Sequence, residues 1–173
     1  ENLSGKTFGQ YELCRLLGMG GMGAVYLGYQ ASLKREVAVK VLTPQLAQDP
    51  GYTARFNREA ETAAALEHDH IVPIYDYGTH GIISFVVMRL LTGGTLDERL
   101  KLHTQQQRPL PSLSEIADVL KQLAGALDYA HGRGVIHRDI KPSNIMFDPQ
   151  GSAYIVDFGI AKLLHATTSL TGT

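Results

Sequence analysis

Ile136-His137-Arg138-Asp139-Ile140-Lys141-Pro142-Ser143-Asn144 is the stretch on which the reading of this chain turns, and Asp157-Phe158-Gly159 follows it closely. The first segment packs basic, acidic and amide groups into one short loop. Between the two, Ile145 to Phe147 and Tyr154 to Val156 read as short β segments, with Pro149, Gln150 and Gly151 turning the chain. Upstream, Ser112 and Glu115 have capping-box spacing after the break at Pro109 and Pro111. Ile116, Leu120, Leu123 and Leu127 then recur at steps of three and four, which predicts a helix with one apolar face ending near His131-Gly132. Thr95 and Glu98 give the same capping signal for a shorter helix just past Gly93-Gly94.

Residues before that glycine pair follow a different grammar. Tyr11 to Leu17, Ala24 to Tyr29, Glu36 to Leu42, Val72 to Tyr77 and Ile82 to Met88 are short runs with aromatic or β-branched content, separated by glycines or polar turns. They predict an antiparallel sheet. One helix interrupts it, beginning near Asp49-Pro50 and continuing through Phe56, Ala60, Ala63 and Glu67. Strands and helices are thus segregated, which makes the fold class α+β, a strand-dominated lobe followed by the beginning of a helical one. The apolar helix has few later helices to pack against, so exposed apolar surface is expected on it. The tail from Thr167 to Thr173 reads as mobile loop.

Composition narrows the classes. At 173 residues and 44% hydrophobic the chain is one domain or a piece of one with enough apolar residues for a core. Lys plus Arg number 16 against 17 Asp plus Glu, so no overall field draws the chain to nucleic acid or an anionic membrane. Cys14 is the lone cysteine, which rules out an internal disulfide and suits a reducing compartment. The longest apolar runs, such as Ile82 to Met88, are far too short to span a bilayer. His131 and His137 have no neighbouring cysteine or histidine at metal-ligand spacing.

Gly18, Gly20 and Gly23 fit G-x-G-x-x-G, with Gly21 adding freedom, and bare backbone amides can approach phosphate oxygens where a β-carbon would intrude. A hairpin turn and a dinucleotide fingerprint compete for the same pattern. The dinucleotide reading wants a helix to begin in the glycine run, whereas Ala24-Val25-Tyr26-Leu27-Gly28 continues as a strand. The Walker reading lacks its closing Gly-Lys-Ser or Gly-Lys-Thr. Lys40 lies inside the apolar strand Ala38-Val39-Lys40-Val41, where its ammonium needs anionic partners or an escape to solvent. A phosphate and a carboxylate would serve, with Glu59 preferred over Glu61 and Glu67.

Together these motifs resemble the protein kinase family, particularly bacterial Ser/Thr kinases of the eukaryotic-like type, and the ordered set is the signature by which that family is recognised. The resemblance implies a two-lobed kinase fold: an N-terminal extension at residues 1–10, a β-rich N-lobe at 11–90 and an incomplete, mainly helical C-lobe at 91–173. It implies Gly18, Gly20, Gly21 and Gly23 over the ATP phosphates, Lys40 holding the α and β phosphates, and Glu59 steadying Lys40. Asp139 would orient or deprotonate the substrate hydroxyl and Lys141 would neutralise the transferring phosphoryl group. Asn144 and Asp157 would hold Mg2+, with Mn2+ as the alternative ion. Val25 and Ala38 would line the adenine pocket above and Met146 below, Met88 would guard its rear, and backbone groups around Arg89 to Leu91, including Leu90, would bind the adenine edge. His137 and Phe158 resemble members of an internal apolar stack.

Arg138 resembles the arginine that grips a phosphorylated activation loop, with Thr167, Thr168, Ser169 and Thr171 as its candidate partners, while Thr173 resembles the threonine before the substrate-binding segment. Met88-Arg89-Leu90 departs from the Met-Glu-Tyr frequent at this place. The expected reaction is Mg-dependent transfer of the ATP γ-phosphate to Ser/Thr hydroxyls of proteins, with self-association for autophosphorylation, in the cytoplasm or on a protein anchored through residues outside this chain. The resemblance covers the front two thirds of the kinase domain and omits the Ala-Pro-Glu-like end of the activation segment, so weak or absent protein phosphorylation and poor solubility are expected if the polypeptide ends at Thr173. Two rival readings are a paired-carboxylate hydrolase using Asp139 and Asp157, which leaves the glycine loop and Lys40 without tasks, and a nucleotide-binding pseudokinase or interaction module without transfer.

Overall fold

Arg35–Leu42 sets the centre of the first sheet, because its β-branched residues alternate and both of its faces are covered. Val37, Val39 and Val41 are buried on one side, and Ala38, Lys40 and Leu42 on the other. The structure is a computed structural model describing residues 2–20, 23–43, 51–106, 109 and 111–158. These residues form two units, one holding residues up to Ala65 with Pro73–Leu90, the other Leu66–Val72 with residues from Leu91 onward.

The first unit carries β1 (Thr7–Phe8), β2 (Tyr11–Gly20), β3 (Gly23–Gln30), β4 (Arg35–Leu42), β5 (Ile74–His80) and β6 (Ile83–Met88). They form one antiparallel sheet in the order β1-β2-β3-β4-β6-β5. Leu13, Tyr26, Val37, Val39, Phe85 and Val87 build the core with Phe8 and Tyr11. Residues 1–10, expected as an extension, include a paired strand, and Phe8 is fully buried against the rings of His80 and Phe85. β2 also runs three residues past the expected Leu17, because Gly18, Met19 and Gly20 keep pairing with Val25, Ala24 and Gly23. Register shifts at Leu13/Arg15 and Leu16/Gly18 bend it there.

Helix α1 (Tyr52–Ala64) buries Tyr52, Phe56, Glu59, Ala60 and Ala63, a stripe at helical spacing, and the Phe56 ring meets Tyr77 of β5 edge-on at 6.2 Å. Gly51 in the left-handed region precedes it, and the expected start at Asp49-Pro50 lies outside the described residues. The expected continuation to Glu67 is corrected: the helix stops at Ala64, and the Glu67 N–H donates to the Tyr129 hydroxyl in the second unit's packing.

In the second unit, α2 (Leu96–Gln105) and α3 (Leu113–Gly132) begin at the two capping boxes read from the sequence. Thr95 Oγ1 accepts from Glu98 N at 3.1 Å while Glu98 Oε2 accepts from Thr95 N at 2.8 Å, and Ser112 and Glu115 repeat the exchange at 3.2 and 2.7 Å. β7 (Ile145–Phe147) pairs with β8 (Ala153–Ile155). The Asp148 carboxylate closes their turn by accepting from Gln150 N and Ser152 N. The buried seam of α3 is Leu123, Ala126 and Ala130, not the larger Ile116 and Leu120, because small side chains let the helix approach β8, where Gln122 accepts from Ala153 N. Leu113, Ile116 and Leu120 stay exposed. Among the described residues no helix is long and apolar enough to cross a membrane.

Candidate active site

In the first unit the register decides which residues share a surface. Val25 lies opposite Lys40, Lys40 opposite Val86, and Ala38 between Leu27 and Met88, so Val25, Ala38, Lys40 and Met88 occupy the sheet face away from the valine core. Tyr77, opposite Val86, is on that same face, and α1 packs there through Phe56. Glu59 stands one helical turn beyond Phe56 and is buried, whereas Glu61 and Glu67 are exposed. Both Lys40 and Glu59 are therefore interior charges on matching surfaces of one unit; Glu59 Oε1 also has the exposed Arg58 guanidinium 3.6 Å away. Leu90 follows β6 and is half-buried.

The glycines of the β2–β3 hairpin divide in kind. Gly23 has φ +140° and a β-carbon there would run into the carbonyl oxygen of Val41, so the fold itself demands glycine. Among the described residues a β-carbon at Gly18 or Gly20 would meet nothing within 4 Å, and neither has a positive φ, so packing there makes no such demand.

In the second unit the loop after α3 converges on Asp139. Lys141 Nζ is 2.8 Å from Asp139 Oδ2, and Asn144 Nδ2 donates to the same oxygen at 3.1 Å and to the Asp139 carbonyl at 2.8 Å. The Lys141 ammonium is the main cause holding this carboxyl below its usual range, with Asn144 assisting against a smaller effect of burial. His137 is almost wholly buried: Nδ1 accepts the Asp139 backbone N–H at 3.2 Å, and Nε2 lies 2.7 Å from the Val156 carbonyl. An N–H only donates and a carbonyl only accepts, so His137 is the neutral tautomer with its proton on Nε2. Burial, the largest influence, pushes its pKa down, which agrees with that tautomer. The Phe158 ring meets His137 edge-on at 4.7 Å. Arg138 and Asp157 have φ of 69° and 66°, conformations costing about 1–3 kcal/mol for residues with side chains.

Against known proteins, residues 11–173 match the protein kinase domain family. The chain belongs to the protein kinase family. It is 46% identical over 158 residues to serine/threonine-protein kinase PknD of Mycobacterium tuberculosis, covering 91% of this chain and 23% of that protein. It is 41% identical over 160 residues to serine/threonine-protein kinase PrkC of Bacillus subtilis, covering 92% of this chain and 24% of that one. The crystal structure of the Mycobacterium tuberculosis PknI kinase domain superposes with a TM-score of 0.78 at 35% identity, covering 91% of this chain and 62% of that chain. The chain spans about a quarter of the length of these curated relatives, and its fold is that of protein kinases.

Of the kinase motif residues, Gly18, Gly20, Gly23, Val25, Ala38, Lys40, Glu59, Met88 and Leu90 belong to the first unit and Arg138, Asp139, Lys141, Asn144, Met146 and Asp157 to the second. Gly21, Gly159, Thr167, Thr168, Ser169 and Thr171 lie outside the described residues. Sequence reasoning did not find the positive φ of Arg138 and Asp157; aspartate's tolerance of the left-handed region was a weak clue at Asp157, and Arg138 gave none. Nor did it find Asp148, whose place before Pro149-Gln150-Gly151 in a β turn was the available clue.

Proposed function

We propose that the protein of which this chain is part transfers the γ-phosphate of ATP to Ser/Thr hydroxyls of proteins, itself included, with Mg2+. The observation that carries this reading is the arrangement on Asp139. Its Oδ2 engages Lys141 and Asn144, so among the described residues Oδ1 is the oxygen left to receive a substrate hydroxyl. Held ionised, the carboxylate orients the hydroxyl and takes its proton as the oxygen bonds to the γ-phosphorus and the bond to ADP breaks. Lys141, 2.8 Å away, sets a positive charge beside the reacting oxygens.

The residues fit the nucleotide and the metal. Gly18 and Gly20 keep a space that no neighbouring atom of the described residues requires, which suits phosphate oxygens meeting bare backbone. Asn144 Nδ2 donates twice to Asp139, which among the described residues leaves its amide oxygen, a hard donor, for a cation together with the Asp157 carboxylate. Bound there, Mg2+ neutralises charge on the phosphates. In the first unit Lys40, steadied by Glu59, holds the α and β phosphates, and Val25, Ala38, Met88 and Leu90 are adenine contacts; in the second unit Met146 is an adenine contact. Residues 11–90 serve as the nucleotide-holding lobe and 91–173 as the first part of the catalytic one. Arg138 receives a phosphate placed on Thr167, Thr168, Ser169 or Thr171. The work is done where ATP is plentiful, in the cytoplasm or on its face of a membrane.

The test is the intact mass of the purified full-length protein before and after Mg-ATP. Gains in steps of about 80 Da, abolished by Asp139→Asn, are expected; an unchanged mass together with no transfer to Ser/Thr peptides would overturn the reading.

A further inference from the structure

Arg99 is a half-buried cation on α2 that the kinase motifs do not include. Its guanidinium donates twice to the Gly93 carbonyl, from Nε at 3.2 Å and Nη2 at 2.9 Å, and lies 3.6 Å over the centre of the Phe147 ring. The same segments are joined through the backbone. Gly93 N donates to the Phe147 carbonyl at 2.8 Å, Phe147 N to the Gly94 carbonyl at 2.9 Å, and Thr95 bridges Met146. Gly93 has no room for a β-carbon, which would strike the carbonyl oxygens of Phe147 and Asp148. Thr95 is also the N-cap of α2, so α2 is rooted on β7 at two points one turn apart, Thr95 and Arg99.

Side chains alternate along β7. Ile145 and Phe147 point inward, and Met146 on the other face is half-buried. A guanidinium clamped on both the Phe147 ring and the Gly93 carbonyl fixes the strand from its inner side and so fixes where Met146 stands. We propose that Arg99 is a positioning residue for nucleotide binding, holding β7 against the Gly93-Gly94 segment so that Met146 presents a set surface to the adenine. This deepens the kinase reading and rests on it. A change to lysine loses the paired donation to the Gly93 carbonyl and the flat stacking on the Phe147 ring, because an ammonium has neither a planar fork nor a face.

The experiment compares Arg99→Lys and Phe147→Leu with the parent full-length protein by calorimetric binding of a non-hydrolysable ATP analogue and by steady-state kinetics. In Arg99→Lys the KM for ATP and the analogue Kd rise together by about fivefold, kcat stays within about twofold, and Phe147→Leu gives a smaller shift in the same direction. A residue serving only stability would lower the active fraction, and with it kcat, while leaving KM and Kd of the folded molecules unchanged; that result overturns the proposal. If Arg99→Lys does not fold, Phe147→Leu decides it by the same two constants. A parent protein that binds no nucleotide overturns the kinase reading as well, whereas a parent that binds and variants that bind equally well overturn the Arg99 proposal alone.

Discussion

The imidazole of His137 accepts the backbone N–H of Asp139, and its other nitrogen donates to the carbonyl of Val156, the residue before Asp157. One buried neutral ring therefore ties the backbones of two acidic motif residues together. Replacing it with phenylalanine keeps an aromatic ring against Phe158 and leaves a buried carbonyl and an N–H unpaired. His137→Phe should cost about 2–4 kcal/mol, read as a lowered denaturant midpoint for this domain.

The same ring sets a pH dependence. Burial depresses the His137 pKa below its ordinary 6.5, so between the two values the unfolded chain takes up a proton that the folded one refuses. The stabilisation is complete above pH 6.5 and is lost as pH falls toward the depressed value, with a slope of up to about 1.4 kcal/mol per pH unit. Denaturation of parent and His137→Phe across pH 5 to 8 checks this; equal slopes would remove His137 as the cause.

Asp139→Asn replaces an ionised acceptor with an amide that offers Lys141 a weaker partner. Phosphotransfer should fall by about 10²–10⁴-fold while binding of the ATP analogue persists, as measured by radiolabel transfer and calorimetry on one preparation. Retained transfer would exclude the assigned role.

Gly18→Ala and Gly20→Ala place a methyl in open space and should change stability by no more than about 0.5 kcal/mol, yet raise the KM for ATP by about tenfold. Gly23→Ala has the opposite signature, a loss of about 2 kcal/mol or more from a strained φ and the collision with Val41. Thermal unfolding and ATP titrations of the three variants separate a ligand-imposed glycine from a fold-imposed one.

Lys40→Met and Glu59→Gln should each cut kcat/KM by about 10²-fold or more, and the double variant should be little worse than either. Strict additivity in that cycle would mean that the two act separately.

Much of the candidate site was legible because it is local. Asp139, Lys141 and Asn144 lie within one short loop, so spacing alone brings them within reach of one another. The capping boxes at Thr95 and Ser112 were legible for the same reason, since each links residues three apart. What depended on partners far along the chain was not. Gly23 is separated from Gly18 and Gly20 only by how closely β4 approaches, whereas the preference for Glu59 over Glu61 and Glu67 was already readable and agrees with the face of α1 that is buried. The α3 seam moved from Ile116 and Leu120 to Leu123, Ala126 and Ala130 because β8, not periodicity, chose the face. Arg99 gains its meaning from a strand nearly fifty residues later. The sequence by itself determined the family, because residue type and short spacing carry its motifs; burial, strand register and backbone strain came only from tertiary structure, because each is a property of neighbours that the chain brings together only on folding.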